Sequence, residues 1–411
     1  MTHNYPASFI REIPKSDLHV HLDGSLRIST LIELAREYKV ELPSYTEAGL
    51  RELVYKDKYA NLGEYLHGFK YTCAVLRTQE ALEQVSYDLA WDNIREGVCY
   101  IEIRFAPQLH IHHDLSFEQI MEAVHRGLHR AQNEYNSSSE VTLEGKPSFH
   151  YGIIVCAMRM FTAGFSPYFK NLFIVHPHSS NNDIIQMASL ELAKGAVKIA
   201  RETGIPLVGF DLAGQEDGYP AIKHKKAYEY CHQNFLKKTV HAGEAYGAES
   251  IFQAISYLYT DRIGHGYYLF DTDRIKDSSI SDREEYIQKL ANYIANRRVT
   301  IEVCLTSNLQ TNPSLKNLSD HTFKRMLQEG LSVTLCTDNR LVSNTTVSHE
   351  IELAVTHFDI TPKKLKNIII YGFKRNFYWG DYISKRIYCR QVIDYYEKIE
   401  QKYGIPKIES E

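Results

Sequence analysis

Two histidines near the amino terminus, His19 and His21, are the first residues whose type and spacing indicate chemistry. They alternate with Leu18, Val20 and Leu22. In a β-strand, residues i and i+2 point to the same face, so both imidazoles project together and the aliphatic side chains point the other way. Imidazole is a common ligand of zinc and related metals. Two ordinary histidines on a half-buried strand are the alternative, and further ligands downstream decide between the two interpretations.

Further polar residues follow short apolar segments along the rest of the chain. Each segment has the length and composition that predict a strand. The polar residues that follow these segments are Gly214, His241, Glu244, His265, Asn308, Asp338 and Asn339. In a parallel barrel the carboxyl ends of the strands form one rim, and that rim carries the active site. Residues far apart in the sequence are therefore expected to converge there.

Eight such strands are predicted, and helical segments separate them. The strands are placed at residues 16–22, 98–105, 151–157, 207–212, 238–241, 262–264, 299–304 and 331–336. Eight alternations predict an α/β fold, a (β/α)8 TIM barrel with extra helices after strand 1 and at the C-terminus. We expect one domain over residues 1–411. An open doubly wound sheet is the alternative, but no Gly-x-Gly-x-x-Gly motif follows an early strand.

Local patterns add detail to this outline. Apolar residues at helical spacing predict a helical region over 28–96, which proline and glycine residues interrupt. Ser25 is expected to cap the first helix of this region. The segment 166–182 contains several prolines and histidines and is expected to be a long irregular connection. The tail from Ser348 onward is expected to be helical and to pack outside the barrel.

Composition excludes several classes of protein. With 44% hydrophobic and 24% charged residues, the chain has the profile of a globular protein. The formal net charge of −4 gives no basic surface for nucleic acid. No apolar run reaches the ~18 residues of a membrane helix, and the amino terminus lacks a signal-peptide pattern. The seven cysteines include no Cys-x-x-Cys pair. We therefore expect reduced thiols, a cytoplasmic location, no nucleic-acid or membrane partner, and a monomer or homodimer.

Three histidines and an aspartate at the strand ends form a donor set that suits zinc. A catalytic zinc ion keeps one position open and lowers the pKa of a water there to about 7. Glu244 lies three residues after His241, close enough to move a proton, and His265 stands between two glycines. Each residue alone has an ordinary explanation, such as a turn histidine or an aspartate that caps a helix. The whole set, in order on successive strands, is hard to explain as accident.

The chain resembles the adenosine deaminase family of the amidohydrolase superfamily. The motifs that carry the resemblance follow the family order over about residues 13 to 345. They are 16–24 (SDLHVHLDG), 211–214 (DLAG), 241–244 (HAGE), 262–266 (RIGHG), 302–308 (EVCLTSN) and 337–338 (TD). Each motif is weak alone, and together they are specific.

The resemblance implies a zinc-dependent hydrolytic deaminase with one Zn²⁺ per subunit. The implied zinc ligands are His19, His21, His241 and Asp338. The implied catalytic residues are Glu244, which donates a proton to purine N1, and His265, which positions the attacking water. The implied substrate contacts are the backbone amide of Gly214 with N3, Asp23 with the ribose 5′-hydroxyl, and residue 339 with N7.

Position 339 departs from the family pattern. The family usually has two consecutive aspartates after strand 8, and here the second residue is Asn339. Asparagine donates an N–H to an acceptor nitrogen without first being protonated, so purine binding is still expected while the choice of substrate is affected. Leu305 stands where proline is common, and no effect is expected. His176 and His178 offer a second metal site, although a surface loop is the default interpretation.

Adenosine and 2′-deoxyadenosine are the expected small-molecule substrates, in purine salvage. Adenine and aminodeoxyfutalosine are the alternatives. Asp23 favours a nucleoside, because adenine deaminases tend to carry glutamate there. AMP is disfavoured since no basic clamp for a phosphate and no long regulatory amino-terminal region are found. A secreted growth-factor-like deaminase is disfavoured by the missing signal peptide. A non-catalytic purine- or metal-binding relative would lack Glu244 or a zinc ligand, and all of these are present.

Overall fold

A computed structural model describes residues 4–406. All eight predicted strands are present. Their bounds are β1 Lys15–His21, β2 Val98–Phe105, β3 His150–Met158, β4 Leu207–Ala213, β5 Lys237–Ala242, β6 Arg262–His265, β7 Thr300–Val303 and β8 Val333–Leu335. Each strand is almost completely buried, as expected for a parallel sheet that is covered on both faces.

The strands pair in chain order, and every pair is parallel. A parallel bridge between Val20 and Asp338 brings the first strand against the end of the last. The sheet is therefore a nearly closed barrel, which confirms the predicted α/β fold. Parallel neighbours need a crossover, and helices provide most of these connections.

Helices precede, connect and follow the strands. They are α1 Ala7–Glu12, α2 Ile28–Glu37, α3 Glu47–Leu53, α4 Leu62–Leu66, α5 Phe69–Val75, α6 Gln79–Ile94, α7 Phe117–Asn136, α8 Ser139–Thr142, α9 Pro167–Val175, α10 Asn181–Glu202, α11 Lys225–Gln233, α12 Ala248–Ser256, α13 Arg283–Arg297, α14 Leu305–Thr311, α15 Phe323–Gln328, α16 Val347–His357, α17 Pro362–Arg375 and α18 Tyr382–Lys402. Five of them separate β1 from β2 and three follow β8, so the predicted extra helices are present in both places.

The expectation of an irregular connection over 166–182 is wrong. Helix α9 occupies most of it. Ser166 begins the helix, because its hydroxyl accepts a hydrogen bond from the backbone N–H of Phe169 at 3.3 Å, and proline is favoured in the first turn. Phe169 is buried and stacks on Phe161 with ring centroids 3.9 Å apart. The prolines therefore mark helix boundaries and not a loop.

The expectation that Ser25 caps α2 is also wrong. The residue before α2 is Arg27, and it makes no side-chain capping bond. The Ser25 hydroxyl instead accepts a hydrogen bond from the backbone N–H of Arg340 at 3.0 Å. It thus joins the loop after β1 to the loop after β8, and both loops belong to the rim.

Two further expectations concern the chain as a whole. The structure describes all seven cysteines, and each of them is a free thiol. None of the helices within 4–406 is long and apolar enough to cross a membrane.

Below the rim, the barrel interior contains charged residues paired with one another. Arg104 contacts Asp211 and Glu302, each at 2.9 Å, and Arg262 contacts Glu302 at 2.6 Å. Arg262 also pairs with Glu102. All five side chains are buried, so each charge depends on its partners and not on water. The network links β2, β4, β6 and β7.

We predict that Arg262→Met destabilises the fold strongly, because it leaves Glu102 buried without its cationic partner. The free energy of unfolding, measured by urea denaturation, is expected to fall by about 3–5 kcal/mol. Arg390→Met is the matched control, since Arg390 is exposed on α18 and pairs with Asp394 one turn away. Equal effects of the two substitutions would contradict the assigned role of the interior network.

Candidate active site

Five side chains from four strand ends meet on the rim. Possible ligand atoms of His19, His241, His265 and Asp338 all lie within 4.8 Å of one another. His21 joins them, since its Nε2 lies 3.1 Å from Nε2 of His241 and 3.5 Å from Oδ1 of Asp338. All five residues are buried. The structure thus brings together every metal ligand that the resemblance implies, with His265 beside them.

Hydrogen bonds from below fix which ring nitrogen of two histidines faces the site. Nδ1 of His19 lies 2.8 Å from Oε2 of Glu302, and Nδ1 of His241 lies 3.1 Å from Oδ2 of Asp211. A carboxylate only accepts, so both Nδ1 atoms carry the hydrogen and both Nε2 atoms present a lone pair. Nε2 of His19 is buried and has no hydrogen-bond partner within residues 4–406. An unpartnered lone pair in this position fits a metal ion.

His265 has the opposite orientation. The backbone N–H of Phe323 donates to Nδ1 of His321 at 2.9 Å, so Nε2 of His321 carries its hydrogen and donates to Oδ1 of Asn308 at 3.2 Å. Asn308 Nδ2 then donates to Nδ1 of His265 at 3.2 Å. Nε2 of His265 therefore carries a hydrogen and lies 3.7 Å from Oε1 of Glu244. A protonated nitrogen is a donor and not a ligand, which favours His21 over His265 in the ligand set.

Asp338 supplies the negative charge of the site. Its Oδ1 faces both His19 and His21 at 3.5 Å, and its Oδ2 accepts from the hydroxyl of Ser307 at 2.7 Å. Burial alone would raise the pKa of Asp338, but the neighbouring imidazoles of His19, His265 and His21 hold it well below its usual range. Three imidazole nitrogens and one ionised carboxylate form a donor set that fits a divalent cation.

Backbone strain is concentrated at the same residues. His265 has a φ of 64° and Asp338 has a φ of 62°. Residues other than glycine rarely adopt such positive values. The conformation of Asp338 is fixed by two backbone bonds to β1, from its N–H to the carbonyl of His19 at 2.8 Å and from the N–H of His21 to its own carbonyl at 2.7 Å. Two ligands from opposite ends of the chain are thus held at a fixed separation.

Glu244 is the ionisable group best placed to transfer a proton. Its side chain is only 6% exposed. Burial raises the pKa of Glu244 to about 8, and the nearby carboxylates of Asp338 and Glu216 add to this. The carboxyl is therefore protonated near neutral pH, as a general acid has to be, and lies near a carboxylate that stays ionised.

Glu216 is a functional residue that sequence analysis missed. Its buried carboxylate accepts four backbone N–H bonds from the loop after β5 and one hydroxyl bond from Ser250 on α12. The donors are Gly243 at 3.0 Å, Glu244 at 3.0 Å, Ala245 at 2.6 Å, Tyr246 at 3.0 Å and the Ser250 hydroxyl at 2.6 Å. Glu216 thus determines the conformation of the loop that carries Glu244. The sequence gives no sign of this, because an acidic residue after a strand is common and its partners lie in another loop.

The three residues implied in substrate binding lie on the same rim. Gly214 follows β4 and has a φ of 96°, a conformation that favours glycine. Asp23 is buried, and its Oδ1 lies 4.0 Å from Nδ1 of His21. Asn339 is buried and its Nδ2 donates to the hydroxyl of Tyr65 at 2.8 Å. Tyr65, on α4, is a second residue that sequence analysis missed.

The proposed second metal site at His176 and His178 is not formed within residues 4–406. Neither histidine belongs to a group of potential ligands there. They follow α9 at the surface, which agrees with the default interpretation of a surface segment.

Comparison with known proteins assigns this site to a family. The family model described as "Adenosine deaminase" matches residues 14–388. An adenosine deaminase of Vibrio atlanticus is 31% identical over 365 residues, which cover 89% of this chain and 94% of that protein. The chain belongs to the adenosine deaminase family. It is a hydrolytic deaminase with a buried histidine and aspartate cluster that is consistent with a bound metal.

Another relative in the adenosine deaminase family is longer than this chain. A probable adenosine deaminase of Dictyostelium discoideum is 34% identical over 369 residues. The match covers 90% of this chain but 41% of that protein, so the chain spans about two fifths of its length.

Solved structures share the fold at lower identity. An amidohydrolase of Burkholderia ambifaria with bound Zn has a TM-score of 0.75 at 18% identity, covering 98% of this chain and 96% of that one. An adenine deaminase of Arthrobacter aurescens has a TM-score of 0.71 at 20% identity, covering 94% and 99%. Arabidopsis ADAL in complex with IMP has a TM-score of 0.71 at 24% identity, covering 94% and 98%. The adenosine deaminase family fold is thus common to proteins with different purine ligands.

The opposite ring orientations lead to a prediction about metal content. We expect His21→Ala to lose most of the bound metal and His265→Ala to retain it, because Nε2 of His265 carries a hydrogen. Metal in the purified variants is measured by atomic emission, with Asp338→Ala as a positive control for loss. Equal loss from His21→Ala and His265→Ala would remove the distinction between the two histidines.

A second prediction concerns the loop that carries Glu244. Glu216→Gln replaces one accepting oxygen by a donor, which leaves buried N–H groups without a partner and displaces Glu244. We expect kcat to fall about 10²-fold while metal content and KM stay near the wild-type values. Glu249→Gln is the control, since Glu249 also accepts two backbone N–H bonds but lies at the surface. A uniform loss of kcat, metal and folded protein would mean that Glu216 acts on stability alone.

Proposed function

We propose that this protein is an adenosine deaminase, which converts adenosine and 2′-deoxyadenosine to inosine and 2′-deoxyinosine with release of ammonia, in purine salvage. The observation that carries the proposal is the pairing of a neutral acid with a metal-type donor set. Glu244 is protonated near pH 7, and ligand atoms of four rim residues lie within 4.8 Å of one another beside it. Relatives that are named adenosine deaminases, at 31% to 34% identity over most of this chain, support the choice of reaction.

The proposed metal is zinc, one ion per subunit, held by His19, His21, His241 and Asp338. Bound there, zinc lowers the pKa of a water molecule at its open position to about 7, which makes a nucleophile available at neutral pH. The unpartnered Nε2 of His19 and the ionised carboxylate of Asp338 support this ligand set.

The residues of the chain itself then divide the proton transfers between them. Glu244 donates its proton to purine N1, which makes C6 more electrophilic. His265 offers its Nε2 hydrogen to the attacking oxygen and so orients it toward C6. The backbone N–H of Gly214 donates to N3. The 3.7 Å between Glu244 and His265 supports their action on adjacent atoms of one ring.

Asp23 and Asn339 support a nucleoside as the substrate. We assign the buried carboxylate of Asp23 to the ribose 5′-hydroxyl, since a hydroxyl can donate to it. A 5′-phosphate at the same place would meet this carboxylate, which disfavours AMP and IMP-like ligands such as the one named with ADAL. Asn339 Nδ2 has a second hydrogen beyond the one given to Tyr65, and that hydrogen is assigned to purine N7.

Adenine remains the second candidate, because an adenine deaminase shares the fold. Aminodeoxyfutalosine is the third. It carries a 6-aminopurine nucleoside with a larger 5′ substituent, so Asp23 separates these candidates less sharply. The test is the loss of ultraviolet absorbance when the zinc-loaded protein acts on adenosine, adenine and AMP. Fast conversion of adenosine alone is expected, and conversion of adenine alone would overturn the proposal.

The proposed mechanism predicts that turnover is slow when the acidic proton of Glu244 is removed. Glu244→Gln keeps the size of the side chain but has no acidic proton, so kcat is expected to fall by about 10²- to 10⁴-fold with zinc content unchanged. Steady-state assay and metal analysis are made on the same preparation. Gln substitution of Glu249 again serves as the control. Turnover of Glu244→Gln near the wild-type rate would defeat the assignment of Glu244 as the acid.

A further inference from the structure

A cavity of about 680 Å³ opens at the end of the barrel opposite to the candidate active site. Small-molecule sites usually have volumes of ~300–1,000 Å³. The end of α10, the starts of β4 and β5, and the loop over 376–381 that joins α17 to α18 line the cavity. Strands of a parallel barrel all begin at this end, so the cavity shares no lining residue with the rim that carries Glu244 and Asp338.

Three aromatic side chains border the cavity and are exposed to solvent. The exposed fractions are 92% for Phe235, 43% for Trp379 and 73% for Tyr382. Phe235 follows α11 with a φ of 60°, at a position where helices usually have glycine. A phenylalanine there strains the backbone and leaves its ring in water, so it contributes little to the stability of the chain. Exposed rings beside a cavity suit a planar ligand that stacks on them.

Cations outnumber anions among the residues that line the cavity. Arg201, Lys237 and Lys385 contribute three positive charges, and Asp381 contributes one negative charge. Asp381 is already occupied, because it accepts a backbone N–H bond of 2.7 Å at the start of α18. Lys237 pairs with Asp261 at 3.4 Å, whereas Arg201 and Lys385 have no carboxylate at ion-pair distance within residues 4–406. The excess of positive charge favours a ligand with an anionic group.

Lys385 is the most enclosed of the three cations. Its Nζ donates to the carbonyl oxygen of Asn376 at 2.6 Å, which is a neutral partner. Burial lowers the pKa of Lys385 to about 8, and the positive charges of Arg262 and Lys237 act in the same direction while Glu102 opposes them. The ammonium group is charged at pH 7 but poorly stabilised, so an anion beside it would be bound favourably.

The wall of the cavity contains an amide without partners. Asn376 is 3% exposed, and neither its Oδ1 nor its Nδ2 has a hydrogen-bond partner in the part of the chain that the structure describes. Leaving two buried polar atoms unsatisfied is costly. A ring edge with a donor next to an acceptor satisfies both atoms at once, as adenine does for asparagine. Water is the alternative partner, but it makes no use of the rings and cations nearby.

The rings, the cations and the amide together match one class of ligand. We propose that this cavity is a binding site for a purine nucleotide. The base stacks on Trp379 and Phe235 with its polar edge toward Asn376, and the phosphates bind Arg201 and Lys385. The site is independent of the proposed function, because its lining includes none of the groups assigned to deamination.

Tryptophan fluorescence tests the site directly. The chain contains two tryptophans, so Trp91→Phe leaves Trp379 as the only one. Titration of this zinc-loaded variant with ATP or GTP is expected to quench Trp379 in a saturable way, and calorimetry is expected to count one nucleotide per chain. Inorganic triphosphate carries the charge without the base and is expected to quench little. Equal binding of triphosphate and ATP would overturn a nucleotide site, and so would no binding of either nucleotide.

Substitutions made in the Trp91→Phe background identify the residues that bind. Lys385→Met and Asn376→Leu are each expected to raise the Kd for ATP about tenfold. Lys363→Met is the matched control with unchanged Kd, since Lys363 is exposed at the start of α17, roughly 20 Å along the helix from Asn376. Unchanged Kd in both cavity variants would overturn the assignment.

Phe235→Gly separates binding from stability. Glycine relieves the strained backbone at this position, so the Tm is expected to stay the same or rise. The Kd for ATP is expected to rise several-fold, because one stacking ring is lost. A lower Tm with unchanged Kd would show that Phe235 serves the fold and not the ligand.

Kinetics distinguish the cavity from the rim. ATP at saturating concentration is expected to leave the KM for adenosine unchanged, because the two sites lie at opposite ends of the barrel. Competition between ATP and adenosine that accompanies the quenching would place the nucleotide at the rim and overturn the cavity as its site. Failure of the proposed function has another signature, namely no turnover of adenosine by the zinc-loaded protein, and it leaves the fluorescence titration as it is.

Discussion

The buried carboxylate of Glu302 is the group on which both the fold and the site depend. It accepts from Nδ1 of His19 at 2.8 Å and pairs with Arg104 at 2.9 Å and with Arg262 at 2.6 Å. The first contact directs the lone pair of His19 into the candidate metal site, and the other two join the strands beneath it. Because the charge is buried, it is stable only with all these partners in place. The same interaction therefore closes the barrel interior and orients a ligand.

Above that layer, the rim has to keep two carboxyl groups in opposite states at close range. Asp338 must stay ionised to attract a cation, and the imidazoles around it and the Ser307 hydroxyl stabilise the anion. Glu244 must stay protonated, and burial achieves this while its loop is held by Glu216 and not by bonds to the carboxyl itself. A hydrogen-bond chain that starts at the backbone of Phe323 gives His265 its donor hydrogen. Position and protonation state are thus determined by separate sets of contacts.

The sequence predicted the groups that do chemistry better than the groups that hold them. Alternation and strand composition placed β2 at its observed bounds, since six of the residues in Val98–Phe105 are apolar and turn signals lie on both sides of it. The helix over Pro167–Val175 was missed, because the prolines and histidines of the segment 166–182 suggested a loop. The Ser166 cap and the packing of Phe169 on Phe161, which stabilise the helix, are contacts that the composition did not reveal. Glu216 and Tyr65 act through contacts between distant loops, which leave no periodic pattern in the sequence.

The asparagine at position 339 avoids a further carboxyl group in a pocket that already contains several. Asp23, Asp338 and Glu244 already place three carboxyl groups near the pocket, and a fourth at position 339 would have to be protonated before it could donate to a purine nitrogen. Asn339 donates without that requirement. Its amide is oriented from the other side, because Nδ2 donates to Tyr65, whose hydroxyl is bonded to Ser343 at 2.8 Å. Gly24 makes room for it, since a Cβ there would lie 1.9 Å from Oδ1 of Asn339. The asparagine is therefore built into its surroundings, and the proposed contact with N7 is independent of pH on the protein side.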